Sequence, residues 1–161
     1  DSRDTYFQLD PFQNVDRENQ KDRTDGALHF FGEHGDVANL GESYYNRAWL
    51  TKAYGLDAVS QYFGEAAICS GSTMGEQIAI ESYLRAMVAE FDETKCKAKG
   101  CDQGFHNYLY YSHKLDSAVS IRSIEAHSQG RGIINNVGAM RTKPLAEWGV
   151  FDTDTEKVLN W

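Results

Sequence analysis

Three stretches of the chain hold residue types that can do chemistry. Asp1-Ser2-Arg3-Asp4 runs directly into Thr5-Tyr6-Phe7-Gln8. Carboxylates at a strand end can share one hard divalent cation, because Mg²⁺ and Mn²⁺ take oxygen ligands. Such an ion bridges a diphosphate and neutralises charge on a departing phosphate. The same tetrapeptide equally suits a turn whose Asp and Ser side chains satisfy the backbone. The second stretch is Ile68-Cys69-Ser70-Gly71-Ser72-Thr73-Met74-Gly75. Its small residues let a ligand approach the backbone, and helix N-terminal amides behind it would favour anions or hydroxyl oxygens. No Gly-Lys-Ser/Thr follows, so it is not a P-loop. The third is Cys101-Asp102-Gln103-Gly104-Phe105-His106-Asn107. Asp102 and Gln103 can cap a helix, or present a carboxylate and an amide to a sugar hydroxyl. His106 alone fits a hydrogen-bonded structural histidine better than a ligand.

The elements that must position these groups follow from periodicity. Thr5-Tyr6-Phe7-Gln8 reads as a strand stopped by Asp10-Pro11, and Ala27 to Phe31 as a second strand after a charged loop. A helix is expected from Ser43, with Tyr45, Trp49 and Ala53 on one stripe and Gly55 as its stop. A turn of helix over Asp57 to Tyr62 leads to a buried strand, Ala66 to Cys69. Ser70-Gly71-Ser72 reads as a turn, and Thr73 with Glu76 as a capping box. The helix behind it carries Ile80, Tyr83, Leu84, Met87 and Phe91 on one face and ends near Asp92 or Glu93. A helix with Phe105 and Leu109 facing inward, a strand alternating at Val119, Ile121 and Ile124, and a strand within Gly132 to Gly138 complete the pattern. Strand and helix alternate, which predicts an α/β fold.

Composition narrows the function classes. The 161 residues are 41% hydrophobic and 12% aromatic, enough for one domain with a core. Sixteen Lys and Arg against twenty-four Asp and Glu give a net charge of −8, which argues against a nucleic-acid partner. No apolar run approaches the ~20 residues of a membrane span. Cys96 and Cys101 are compatible with a small disulfide, whereas Cys69 reads as a small core residue. With three cysteines, a Cys₄ zinc site is excluded.

Asp1 to Phe12, Cys69 to Gly75 and Asp102 to Asn107, in that order, resemble a glycosyltransferase family of the GT-A fold. The resemblance runs from Asp1 to Trp161. It implies an α/β fragment of a three-layer αβα domain with a mixed sheet. Residues 1–161 would be its C-terminal part, truncated at both ends and lacking the N-terminal nucleotide-binding half. The implied activity is transfer of a sugar from a nucleotide-diphosphate donor to a hydroxyl on a glycan or glycoprotein acceptor, with Mn²⁺ or Mg²⁺. A non-catalytic glycan-binding or scaffold domain of the same fold is the alternative.

The resemblance also implies roles. Asp1 and Asp4 look like the metal pair, although Ser2 and Arg3 break the Asp-x-Asp spacing and leave Asp4 with Ser2 as another option. Arg3, Gly71, Ser72, Thr73 and His106 would bind donor or acceptor. Asp102 and Gln103 would be catalytic, with Asp102 as general base in an inverting mechanism. The family places its enzymes in the Golgi lumen behind an N-terminal anchor, which would be the only membrane contact. A metal-dependent hydrolase ranks below these readings. His29, His34 and His127 are scattered, with no His-x-His or His-Glu-x-x-His among them.

Overall fold

The structure is a computed structural model that describes residues 4–12, 23–33, 39–138 and 144–158. Its strands are β1 (Thr5–Phe7), β2 (Gly26–Gly32), β3 (Ile68–Gly75), β4 (Ile121–His127), β5 (Ile134–Asn136), β6 (Phe151–Asp152) and β7 (Lys157–Val158). The helices are α1 (Tyr44–Tyr54), α2 (Leu56–Val59), α3 (Gln77–Thr94) and α4 (Cys101–Tyr111). The main sheet has the order β3-β2-β4, antiparallel on one side of β2 and parallel on the other. The chain is therefore mixed α/β with a mixed sheet. β1 and β5 form a separate antiparallel ladder, and β6 and β7 a hairpin.

Alternation along β2 decides what each face does. Leu28 and Phe30 are wholly buried and pack with Ala79 and Tyr83 of α3 and Leu109 of α4. Ala27, His29 and Phe31 therefore point to the opposite face. Asn136 of β5 reaches that side, donating its side-chain N–H to the carbonyls of Phe31 and Gly32. Where a second helical layer was expected, the described residues thus bring the β1–β5 ladder. α1 packs on α4 rather than on the sheet, and its Leu50 joins Leu40, Val59 and Ala67 in a second cluster. Ser43 caps α1 through the Asn46 N–H, and Gly55 ends it at φ 82, a conformation that side chains resist.

Several expectations need correction. Ser70-Gly71-Ser72 is not a turn, and the Thr73–Glu76 capping box does not form. β3 continues to Gly75, with Phe30 opposite Thr73, His29 opposite Met74 and Leu28 opposite Gly75. A ladder of backbone hydrogen bonds to β2 outweighs the turn propensity of small residues, and the register shifts between Phe30 and Gly32. Glu76 is the N-cap residue of α3 without a side-chain cap. Its carboxylate instead accepts the Ala27 N–H at 2.9 Å and meets Arg23 and Arg122. Leu84 and Phe91, expected on the buried stripe of α3, remain 54% and 40% exposed.

The edge of β3 is closed by α4 rather than by a strand. Asn107 accepts the Ile68 N–H at 2.9 Å and donates to the Ile68 carbonyl at 2.8 Å. Gln103 accepts the Ser70 N–H at 2.7 Å and donates to the Ile68 carbonyl at 2.6 Å. Two side-chain amides thus mimic a neighbouring strand and cover an otherwise reactive edge. On the other side, β4 carries a bulge. Gly26 pairs with Ile121 and Ala27 with Ser123, leaving Arg122 as the extra residue. The bulge explains how Ile121 and Ile124 both reach the helix-covered core at an odd spacing. Val119, expected on this strand, lies before it and is exposed.

Candidate metal centre

The sheet face turned away from the helices gathers the chemistry. Register places His29 opposite Glu125 and Phe31 opposite His127, so these residues share one face of β2 and β4. Their ligand atoms converge. His29 Nδ1 lies 3.0 Å from His127 Nε2, and the Glu125 carboxylate is 3.7 Å from the first and 3.9 Å from the second. Among the described residues, His29, Glu125 and His127 are the group of metal-capable side chains within 4.8 Å of one another.

Packing fixes these rings. His127 stacks on Phe31 at 5.3 Å and on His29 at 5.3 Å. Gly132 presses against the same pair. A Cβ there would sit 2.8 Å from the Phe31 ring and 2.9 Å from His127 Cβ, so the close approach requires glycine. Burial holds the His127 imidazole below its ordinary pKa, and the neighbouring His29 adds to that, against the opposing pull of Glu125. The ring is therefore neutral at pH 7, with one nitrogen carrying N–H and the other a lone pair. In the hydrogen-bonded pair one imidazole donates N–H and the other accepts, according to tautomer.

Two imidazole nitrogens and one carboxylate oxygen at these separations match what a single ion needs. Metal–ligand bonds of ~2.0–2.2 Å hold neighbouring donors roughly 3 Å or slightly more apart. The donor set suits Zn²⁺, Mn²⁺ or Fe²⁺ better than Mg²⁺, which prefers oxygen.

Beside this centre runs a groove of about 790 Å³ between β1 and β3, with Phe7 and Phe12 at its rim. Of the residues singled out from sequence, Gly71, Ser72 and Thr73 line it. The Ser72 hydroxyl is already engaged, donating to Asn136 at 2.9 Å. The other sequence candidates lie elsewhere. Asp1 and Arg3 fall outside the described residues. Asp4 precedes β1, and its backbone carbonyl accepts the Val137 N–H at 2.7 Å. Asp102 is exposed on the first turn of α4. Gln103 is 7% exposed, its amide consumed by β3 and by Asn46. His106 is wholly buried, with Nδ1 2.7 Å from the Tyr83 hydroxyl, and burial pushes its pKa down to about 3. The structure therefore does not bring Asp102, Gln103 and His106 to one accessible cleft.

Cys96 and Cys101 form a disulfide. Cys69 is free, and burial first, with the nearby Glu33 charge second, pushes its thiol up to about 12. No described helix is long and apolar enough to cross a membrane.

Sequence reasoning missed the cluster because His29 belongs to a strand paired across a long crossover. One local signal existed. Glu125 and His127 are two apart on a strand, and so point the same way.

No protein-family model, curated protein or solved structure matches the chain.

Proposed function

We propose that the chain is a metal-dependent domain that holds a divalent transition ion through His29 Nδ1, His127 Nε2 and the Glu125 carboxylate. The observation that carries this reading is the convergence of three ligand atoms within 4.8 Å on one sheet face. The three ligands found among the described residues would leave coordination positions open, the pattern of a catalytic rather than a structural site. A bound ion supplies Lewis-acid chemistry, polarising a substrate oxygen. The residues themselves contribute the rest. Phe31 and Gly132 hold the His127 ring, the parallel register holds His29 against Glu125, and burial keeps His127 unprotonated. The reaction class is metal-assisted hydrolysis. The test is titration of the full chain with Zn²⁺ and Mn²⁺ by calorimetry. Micromolar or tighter binding at one equivalent, lost in His29→Ala and His127→Ala, is expected. Binding that survives both substitutions overturns the assignment.

Glycosyl transfer is a second reading, favoured by one observation. Gly71, Ser72 and Thr73 line a groove whose rim carries the half-exposed rings of Phe7 and Phe12, and such rings suit stacking on a sugar. In that reading a Mn²⁺-dependent transfer moves a sugar from a nucleotide-sugar donor to a glycan or glycoprotein hydroxyl in the Golgi lumen. Calorimetry with UDP- and GDP-sugars in the presence of Mn²⁺ tests it. No heat of binding with any common donor removes it.

A further inference from the structure

We infer that the groove walled by Met74 is the substrate subsite of the proposed ion, and that it takes an uncharged molecule with an aromatic body whose polar end reaches the ion. This rests on the metal reading above. Met74 is the direct cross-strand partner of His29 on β3 and shares its face of the sheet. Residues so paired stand about 4.5–5.5 Å apart at Cβ. Met74 also forms part of the groove wall. Met74 is therefore the residue that stands between a body in the groove and His29, one cross-strand position away.

The lining states the chemistry of that body. Phe7, Phe12, Ile80, Ile134 and Met74 supply apolar surface, and among the described residues no charged side chain lines the groove. A phosphate or carboxylate lying against these described residues would find no cation among them to pair with, and its desolvation would go uncompensated there. The volume of about 790 Å³ lies within the usual range for small-molecule sites. Phe7 and Phe12 are 53% and 60% exposed, while Phe30 and Phe31 of the core are at most 1%. Two large rings left open at a single concave mouth are surface that a ligand would cover. The thioether of Met74 adapts readily to an aromatic face.

The experiment compares two neutral hydroxamic acids with the same metal-binding head on the Zn²⁺-loaded full chain. Benzohydroxamic acid carries a ring and acetohydroxamic acid does not. After correction for their affinities for free Zn²⁺, the benzo compound is expected to bind about tenfold more tightly or better. In the double variant Phe7→Ala/Phe12→Ala that preference falls to near unity while Zn²⁺ affinity is unchanged. Phe91→Ala, on α3, leaves the preference intact. Equal binding of the two compounds to the wild type overturns the subsite, as does a preference that survives the double variant or appears equally without Zn²⁺. In each of those cases the metal reading stands. Absence of Zn²⁺ binding overturns both.

Discussion

His29 Nδ1 and His127 Nε2 stand 3.0 Å apart on neighbouring parallel strands, and one proton joins them. Each would have to give a lone pair to an ion, so the imidazole that donates N–H must move its proton to its other ring nitrogen. Zinc affinity should rise with pH, and at the acid end, where a ligand is protonated before binding, the ion should release protons to the buffer. As pH falls from about 7.5 to about 5, imidazole protonation competes with the ion, and affinity is expected to drop steeply. His127, with its pKa held down by burial and by His29, resists longer than an ordinary imidazole. Calorimetry in two buffers of different ionisation enthalpy reads the proton count. A pH-independent affinity would contradict the shared-ligand geometry.

Gln103 and Asp102 are adjacent in sequence but have opposite expected phenotypes. Gln103→Leu strands the Ser70 N–H and the Asn46 side-chain oxygen and leaves the Ile68 carbonyl to Asn107 alone, and should lower stability by about 2–3 kcal/mol. Asp102→Asn, at an exposed position, should change stability by no more than about 0.5 kcal/mol. Urea denaturation of both variants decides the matter. Loss of turnover in Asp102→Asn with stability unchanged would instead favour the glycosyl-transfer reading.

The almost wholly buried carboxylate of Glu90 meets Lys114 Nζ at 2.6 Å and the Tyr54 hydroxyl at 2.6 Å. Burial opposes the Lys114 charge, but the hydrogen bonds to Glu90 and Glu93 outweigh it, so its pKa is raised. Lys114→Met leaves Glu90 without its cation and should destabilise by about 2–4 kcal/mol. The double variant Lys114→Met/Glu90→Gln is expected to recover a good part of that loss. Thermal melts of the two single variants and the double variant provide the cycle.

His106 makes the fold sensitive to acid. Its pKa of about 3 in the folded chain lies below the ordinary 6.5, so between those values the unfolded chain binds more protons. The stability that His106 secures is complete above pH 6.5 and drains away as pH falls toward 3. The total is on the order of a few kcal/mol. His106→Phe should flatten that part of the pH profile, as read from urea midpoints at several pH values.

The disulfide between Cys96 and Cys101 closes a short loop just ahead of α4. In the loop-entropy account, closing so few residues contributes about 2 kcal/mol. Reduction by dithiothreitol should lower the melting temperature by an amount that Cys96→Ser/Cys101→Ser reproduces. A reductant effect in the double variant would point elsewhere.

Local signals in the chain were readable where local forces decide. The strand at Thr5, the β2 segment, the start of α1 at Ser43, its stop at Gly55 and the α3 and α4 helices all follow from spacing and caps. Ser70 to Gly75 misled, because small residues suit a turn and only the partner strand β2 reveals that they extend. Gln103 and His106 looked like site residues, since polar side chains at a helix start can serve a ligand. They face instead a strand edge and the Tyr83 hydroxyl, neither of which is marked locally. The metal cluster was the least legible part. It depends on pairing β2 with β4 in parallel register, and an odd spacing from Ile121 to Ile124 hides which way Glu125 and His127 point.

That odd spacing has a further consequence. If Arg122 paired regularly opposite Ala27, Ser123 would oppose Leu28, and Glu125 and His127 would turn into the helix-covered layer. The bulge instead divides β4 into two reading frames. One ends at Ile121 and serves packing, and the next, beginning at Ser123, sends isoleucine inward and the ionisable groups outward. Arg122 is the spacer between them, clamped to Asp25 at 2.8 Å and Glu76 at 3.1 Å. A strand that slipped to heal the bulge would bury a glutamate and a histidine among Leu28 and Phe30. The residues that form the site thus also proofread the sheet that carries them.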